Sequence, residues 1–161
     1  MFYRQAEVSD IAGMAPLRAN DWGTEEYWRK RIQLYLTGQL HPKHALASRA
    51  GFVCADGEQI VGLIAGHLTR RFGCDGELEW ISVSPAYRGQ KIGSGLLRIL
   101  AEWFIAEGAR FICVDVDPAN EPARKFYAAN GACDLKPHWM AWKDVGTVCH
   151  SVHPRGGPSF R

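Results

Sequence analysis

Between Ala45 and Val83 the chain runs through short apolar segments separated by turn residues, a pattern that commits this stretch to antiparallel strands. Gly51-Phe52-Val53-Cys54-Ala55 is followed by Asp56-Gly57 and then by the apolar run from Ile60 to Leu68. An Asp-Gly pair between two such runs is a strong hairpin signal, because the tight turn needs positive φ. A third run, Leu78 to Val83, follows the loop from Arg70 to Gly76. After Val83 the pattern changes to turn, helix, strand, helix. Leu96, Leu97, Leu100, Phe104 and Ile105 mark a helical face ended by Gly108, Phe111 to Val116 reads as a buried strand, and Asn120 opens a helix that stops at Asn130-Gly131. A βαβ-like unit attached to antiparallel strands predicts an α+β protein with a mixed, mostly antiparallel sheet flanked by helices.

The flanks fit the same plan. A first strand is expected near Phe2 to Ala6. Ser9 and Asp10 offer caps for a helix carrying Ile11, Met14, Ala15 and Leu17 at helical spacing. Thr24 with Glu25 and Glu26 opens a second helix that includes Tyr27, Ile32, Leu34, Tyr35 and Leu36, and Gly38 is placed to stop it. Trp139-Met140-Ala141-Trp142 reads as a last strand. The Gly/Pro-rich end reads as a tail, giving one domain over 1–145 and a tail over 146–161. A chain of 161 residues is long enough to bury one self-sufficient core.

The formal net charge is only +2, and basic residues are scattered among acidic ones, so the basic stripe of a nucleic-acid binder is missing. No apolar stretch approaches the roughly 18–20 residues of a membrane span, and the start has no signal-peptide pattern. No nucleic-acid or membrane partner is expected, and a cytoplasmic location is. Cys54, Cys74, Cys113, Cys133 and Cys149 are odd in number and lack paired short spacing, which fits reduced thiols. Cys149-His150 with His153 lacks an evident fourth ligand for structural zinc, so no metal is expected.

The chemistry concentrates in Val83-Ser84-Pro85-Ala86-Tyr87-Arg88-Gly89-Gln90-Lys91-Ile92-Gly93-Ser94-Gly95-Leu96-Leu97. Glycines and a serine directly before an amphipathic helix leave backbone N–H groups without helical partners, and the helix dipole adds positive potential. Such a turn holds a phosphate or pyrophosphate, and Arg88 and Lys91 add charge. A Walker loop would need Lys and Ser or Thr directly after its last glycine, but Gly93 is followed by Ser94-Gly95. A dinucleotide fingerprint would need a small residue where Arg98 stands.

These residues resemble the core motif of the GCN5-related N-acetyltransferase (GNAT) superfamily, a strand ending in Val-x-Pro-x-Tyr-Arg-Gly-x-Gly-Ile-Gly followed by a Leu-rich helix. The departure is Lys91 at the middle glycine, which requires a local backbone free of the φ values a Cβ disfavours. A second block, Asn120-Glu121-Pro122-Ala123-Arg124-Lys125-Phe126-Tyr127 through Gly131, is similar to that family's Asn-x-x-Ala-x-x-x-Tyr helix, with Ala132 where an aromatic residue is usual. The likeness covers about Phe2 to Val145. It implies the acyl-CoA N-acyltransferase fold, with a central sheet splayed between the strand ending at Val83 and the strand Phe111 to Val116. It further implies acetyl-CoA as cosubstrate, with Ile81, Ser82 and Val83 along the acetyl and pantetheine portion and Asn120 on the pantetheine arm. The pyrophosphate would lie on Arg88, Gly89, Gln90, Lys91, Ile92, Gly93 and Ser94.

Transfer of an acetyl group to an amine needs a neutral nitrogen, whereas an alkylamine near pH 7 is mostly protonated, so a base must take a proton. Glu77 and Glu79 are the candidates: on a regular strand, period two places them on one face with Ile81 and Val83. The resemblance puts Tyr127 beside the CoA sulfur, as proton donor or hydrogen-bond donor. Each of these residues also has a plain reading, as strand-edge carboxylate, core aromatic or, for Asn120, helix cap. The expected activity is N-acetyl transfer by direct attack of a primary amine on the thioester; the alternative is a CoA-binding regulatory module with the same fold and no catalysis. The acceptor is expected to be a small-molecule amine or a peptide or protein amine, held near Asp21, Trp22, Glu25, Glu26, Tyr27 and Trp28, and a homodimer is carried as an expectation.

Overall fold

Asp56 and Gln59 pair across a two-residue loop in which Gly57 takes φ +61°, so the Asp-Gly signal marks a real hairpin between β2 (Ala45–Asp56) and β3 (Gln59–Thr69). The structure, a computed structural model, describes residues 1–149. The other strands are β1 (Phe2–Gln5), β4 (Gly76–Val83), β5 (Ile112–Asp115), β6 (Cys133–Lys136) and β7 (Trp139–Trp142). They form one sheet of seven in the order β1-β2-β3-β4-β5-β7-β6, and β4 with β5 is its parallel pair. The helices are α1 (Ile11–Ala19), α2 (Glu25–Leu36), α3 (Ile92–Ala106), α4 (Glu121–Ala129) and α5 (Gly146–Cys149).

Three layers follow from the apolar patterning. Ile11, Met14, Ala15 and Leu17 of α1 join Trp28, Ile32 and Tyr35 of α2 against Val53, Leu63, Ala65 and Trp80 of the sheet. On the opposite face, Ile92, Leu96, Leu97, Leu100 and Phe104 of α3 pack with Ile64, Leu78, Ile112, Val114 and Tyr127. Thr24 caps α2 by accepting the Tyr27 N–H at 3.1 Å. Gly38 and Gly108, both at positive φ, follow the ends of α2 and α3. These are the boundaries that capping and glycine signals predict.

Three elements differ from expectation. The Asp10 side chain does not cap α1; it accepts bidentate bonds from Arg4 at 2.7 and 2.8 Å and from the Glu7 N–H at 2.7 Å, tying β1 to the helix entry. Strand β6 was not expected because it is a four-residue, mostly exposed edge, too short for its alternation to stand out. The chain from Gly146 to Cys149 is helical, and Val145 and Val148 both belong to the core beneath α3. A Gly-Thr pair hid this turn of helix from a reading by composition. The rest of the expected tail, with His150 and His153, lies outside the described residues. The five cysteines form no disulfide.

Because Val148 is 3% exposed, Val148→Asp should bury an unpaired charge and destabilise the fold by about 3 kcal/mol, roughly 10 °C in a thermal melt. An unchanged melt would mean that the core ends before α5.

Candidate active site

Strands β4 and β5 pair only from Gly76 to Leu78 against Ile112 to Val114. The cause lies one residue further on. Ala65 pairs with Trp80 but Gly66 pairs with Leu78, so Glu79 is an extra residue, a β-bulge, on β4. A bulge bends its strand and increases the local twist. The far half of β4 therefore leaves β5, and a cleft of about 910 Å³ opens between Glu79–Val83 on one side and Val114–Asp117 on the other. The Ser84 N–H donates to the Val61 carbonyl at 2.8 Å. Backbone groups alternate in direction along an antiparallel strand, so those of Ser82 also face β3, while those of Ile81 and Val83 turn into the cleft.

The bulge also corrects the expected facing of side chains. Ile81 and Val83 pack against the core beneath α3, while Trp80 packs in the core beneath α1 and α2. Glu77 and Glu79 lie on the α2 side, each within 4 Å of His67. They do not share a face with Ile81 and Val83, because the added residue breaks the period of two.

At the cleft's other end the turn before α3 takes shape. The first bond of the helix runs from the Gly95 N–H to the Lys91 carbonyl, leaving the N–H groups of Ile92, Gly93 and Ser94 outside the helical ladder. Arg88, Gly89, Lys91, Ile92, Gly93 and Ser94 line the cleft, whereas Gln90 does not. A Cβ on Gly93 would lie 3.1 Å from the Phe126 ring, so glycine there lets α3 and α4 approach closely. Lys91 takes φ +62° and ψ +21°, the left-handed region. The lysine therefore does not escape the disfavoured φ; it carries the strain that a glycine would avoid.

Asn120 lines the cleft and caps α4, its Oδ1 accepting the Ala123 N–H at 3.2 Å. Tyr127 reaches the cleft from the buried face of α4, packed edge-on against Phe126 and Trp142. Burial pushes its phenol up to about 12, so it stays protonated at neutral pH.

The two candidate bases are not equivalent. Glu79 lines the cleft, and burial, followed by the nearby charge of Glu77, raises its carboxyl to about 7. Glu77 is buried outside the cleft lining and accepts a 2.9 Å bond from Arg71 Nε. His67 is fully buried; burial pushes it down to about 4, so it is neutral, and its Nδ1 shares a 2.8 Å hydrogen bond with the Tyr35 hydroxyl. His67, Glu77 and Glu79 bring ligand-type atoms within 4.8 Å of one another. Arg71 holds Glu77 Oε1 and Tyr35 holds His67 Nδ1, while His67 Nε2 is buried with no hydrogen-bond partner among the described residues.

Of the residues expected around an acceptor, Asp21 and Trp22 line the cleft. Trp28 is a core residue at 1% exposure, and Glu25, Glu26 and Tyr27 lie outside the lining. Sequence reasoning missed Arg18, Asp115 and Asp117, which line the same cleft. The two aspartates flank the end of the expected strand, where the divergence of β4 and β5 exposes them.

A profile described as the acetyltransferase (GNAT) family matches residues 9–132. No curated protein matches the sequence significantly. Among solved structures, the fold is similar to an aminoglycoside 6′-N-acetyltransferase from Acinetobacter haemolyticus, with 17% identity over 84% of this chain and 93% of that one and a TM-score of 0.69. It is also similar to a PaiA N-acetyltransferase from Thermoplasma acidophilum in complex with coenzyme A, with 15% identity, 89% and 98% coverage and a TM-score of 0.66. A ribosomal-protein-alanine N-acetyltransferase from Brucella melitensis gives 16% identity, 88% and 98% coverage and a TM-score of 0.65. The mixed, splayed sheet with its flanking helices matches the expected acyl-CoA N-acyltransferase fold.

The backbone of Lys91 yields a direct test. Lys91→Gly should remove roughly 1 kcal/mol of left-handed strain, offset in part by glycine's larger chain entropy. A thermal midpoint higher by about 1–3 °C is the expected result; a lower one would mean that the lysine side chain contributes more than its backbone costs.

Proposed function

This chain belongs to the acetyltransferase (GNAT) family, and from that premise we propose that it transfers the acetyl group of acetyl-CoA to a primary amine by direct attack on the thioester. The observation that carries the reading is the convergence, in one cleft, of the Glu79 carboxyl raised to about 7, the unpaired β4 edge at Ile81 and Val83, and the Tyr127 phenol. In this reading the pantetheine arm lies along that edge as an added strand, and the pyrophosphate lies on the free amides at the start of α3, with Arg88 and Lys91. Asn120 serves the pantetheine arm while capping α4.

An acceptor arriving as an ammonium loses a proton to Glu79, and the freed nitrogen lone pair attacks the acetyl carbonyl carbon. The carbon–nitrogen bond forms, the carbon–sulfur bond breaks, and the electron pair leaves on sulfur. Tyr127 donates to the departing sulfur, so CoA leaves as the thiol; the nitrogen sheds its surplus proton and keeps one as the amide N–H, the shed proton and that on Glu79 pass to solvent, and Tyr127 is reprotonated from solvent. Glu77, bound to Arg71, acts through Glu79: its negative charge helps keep the Glu79 carboxyl basic enough to accept a proton near pH 7. Cys113 and the other thiols take no part. The names of the similar structures span an aminoglycoside antibiotic and an alanine of a ribosomal protein as acceptors, so the fold does not choose the acceptor.

Acetylation of an amine panel tests the proposal. Glu79→Gln should lower kcat by about 10² to 10⁴ with CoA binding retained, and Tyr127→Phe should lower kcat with a smaller effect on KM. The base works unprotonated, so kcat/KM should rise with pH through about 7, and this inflection should vanish in Glu79→Gln. A protein that binds CoA but acetylates no amine would instead be a CoA-binding module.

A further inference from the structure

Arg18 lines the cleft from α1, on the sheet face opposite α3 and beside Asp21, where the acceptor is expected. Its guanidinium carbon lies 4.5 Å from the Trp28 ring centroid and 5.9 Å from that of Trp80, so aromatic faces hold the group in place. Nη1 donates to Ser82 Oγ at 3.1 Å and to Asp21 Oδ2 at 3.2 Å. Nε is buried with no partner among the described residues. Nη2 makes no hydrogen bond to a described residue and is not among the buried unpartnered atoms, so it keeps accessible surface on a residue that lines the cleft.

A guanidinium cannot relieve such a deficit by losing its proton. Asp21 does not supply the missing acceptors: it touches Nη1 alone, its side chain is 44% exposed, and pairs of that kind are weak. Arg18 and Glu79 line the same cleft, near enough for the Glu79 carboxylate to act on the guanidinium. The acceptor end therefore presents a fixed cation with open donors beside the carboxylate expected to deprotonate the amine. That arrangement complements a ligand carrying its own ammonium and carboxylate close together.

We propose that Arg18 binds a carboxylate of the acceptor, and that the acceptor class is a free amino acid or a similar small amino carboxylate. The proposal rests on the acetyltransferase reading above. The carboxylate takes Nη2, the amine points to Glu79, and Trp22, 56% exposed in the cleft wall and braced by Tyr27 and Trp28, offers an apolar surface to the side chain.

The test compares the proteinogenic amino acids with their amides, which keep the amine and lose the negative charge. For wild type, kcat/KM for the preferred amino acid should exceed that for its amide by about tenfold to a hundredfold, mostly through KM, as expected for a charge-assisted hydrogen bond. The amide's less basic amine would favour it in the absence of such a site. Arg18→Gln should bring the ratio to one or below, and Arg18→Lys should keep part of it. A wild-type ratio of one or below, or a ratio that survives in Arg18→Gln, overturns the proposal; the wild-type comparison stands even if a variant fails to fold. Calorimetric titration of the same pair into CoA-saturated protein separates the two levels of inference. Preferred binding of the amino acid without any transfer would contradict the transferase reading and support the carboxylate site, whereas binding without preference would contradict the site itself.

Discussion

One extra residue in β4 sets how far the sheet can stay closed. While β3 and β4 step together, β4 also holds β5; once Glu79 is inserted opposite the Ala65–Gly66 step, pairing with β5 ends at Leu78 and Val114. An interrupted ladder leaves backbone donors and acceptors that need partners. Here the unpaired edge at Ile81 and Val83 faces a cleft lined by the start of α3 and, from the other face of the sheet, by Arg18 of α1 with Asp21 beside it. The bulge thus leaves that edge open, and Glu79 lies toward the layer of α1 and α2, the side on which we propose that the acceptor binds.

The electrostatics of that layer depend on the same placement. Two carboxylates and a histidine are buried together, yet they do not compete for one role. Arg71 holds Glu77, Tyr35 engages His67, and burial keeps His67 neutral. Glu79 has no such partner among the described residues and carries the cost of burial as a raised pKa of about 7. A carboxyl with that value near neutral pH can both accept a proton from an amine and release it afterwards.

Much of this was legible in the sequence because it rests on local chemistry. Asp56-Gly57 marks a turn, Thr24 and Asn120 cap helices with their side chains, and the glycine-rich start of α3 leaves its first amides outside the helical ladder. What was not legible depends on partners distant in the chain. The bulge at Glu79 is a fact of register between β3 and β4, and nothing in Glu77-Leu78-Glu79-Trp80 announces it; hence the wrong expectation for the facing of the two glutamates. The left-handed Lys91 conceals itself for the opposite reason, since a residue type that disfavours that conformation occupies it. Arg18 looks like an ordinary polar residue in α1 until Trp28, Trp80 and Ser82 are brought around it.

The central claim is that the β4 edge freed by the bulge is where acetyl-CoA lies. Residue-resolved amide hydrogen exchange, read by NMR with and without acetyl-CoA, tests it most directly. The N–H groups of Ile81 and Val83 should exchange readily in the free protein, while that of Ser84, bonded to Val61, is already protected; saturating acetyl-CoA should then slow Ile81 and Val83 strongly. Exchange at Ile81 and Val83 that is unchanged by bound acetyl-CoA would contradict the account.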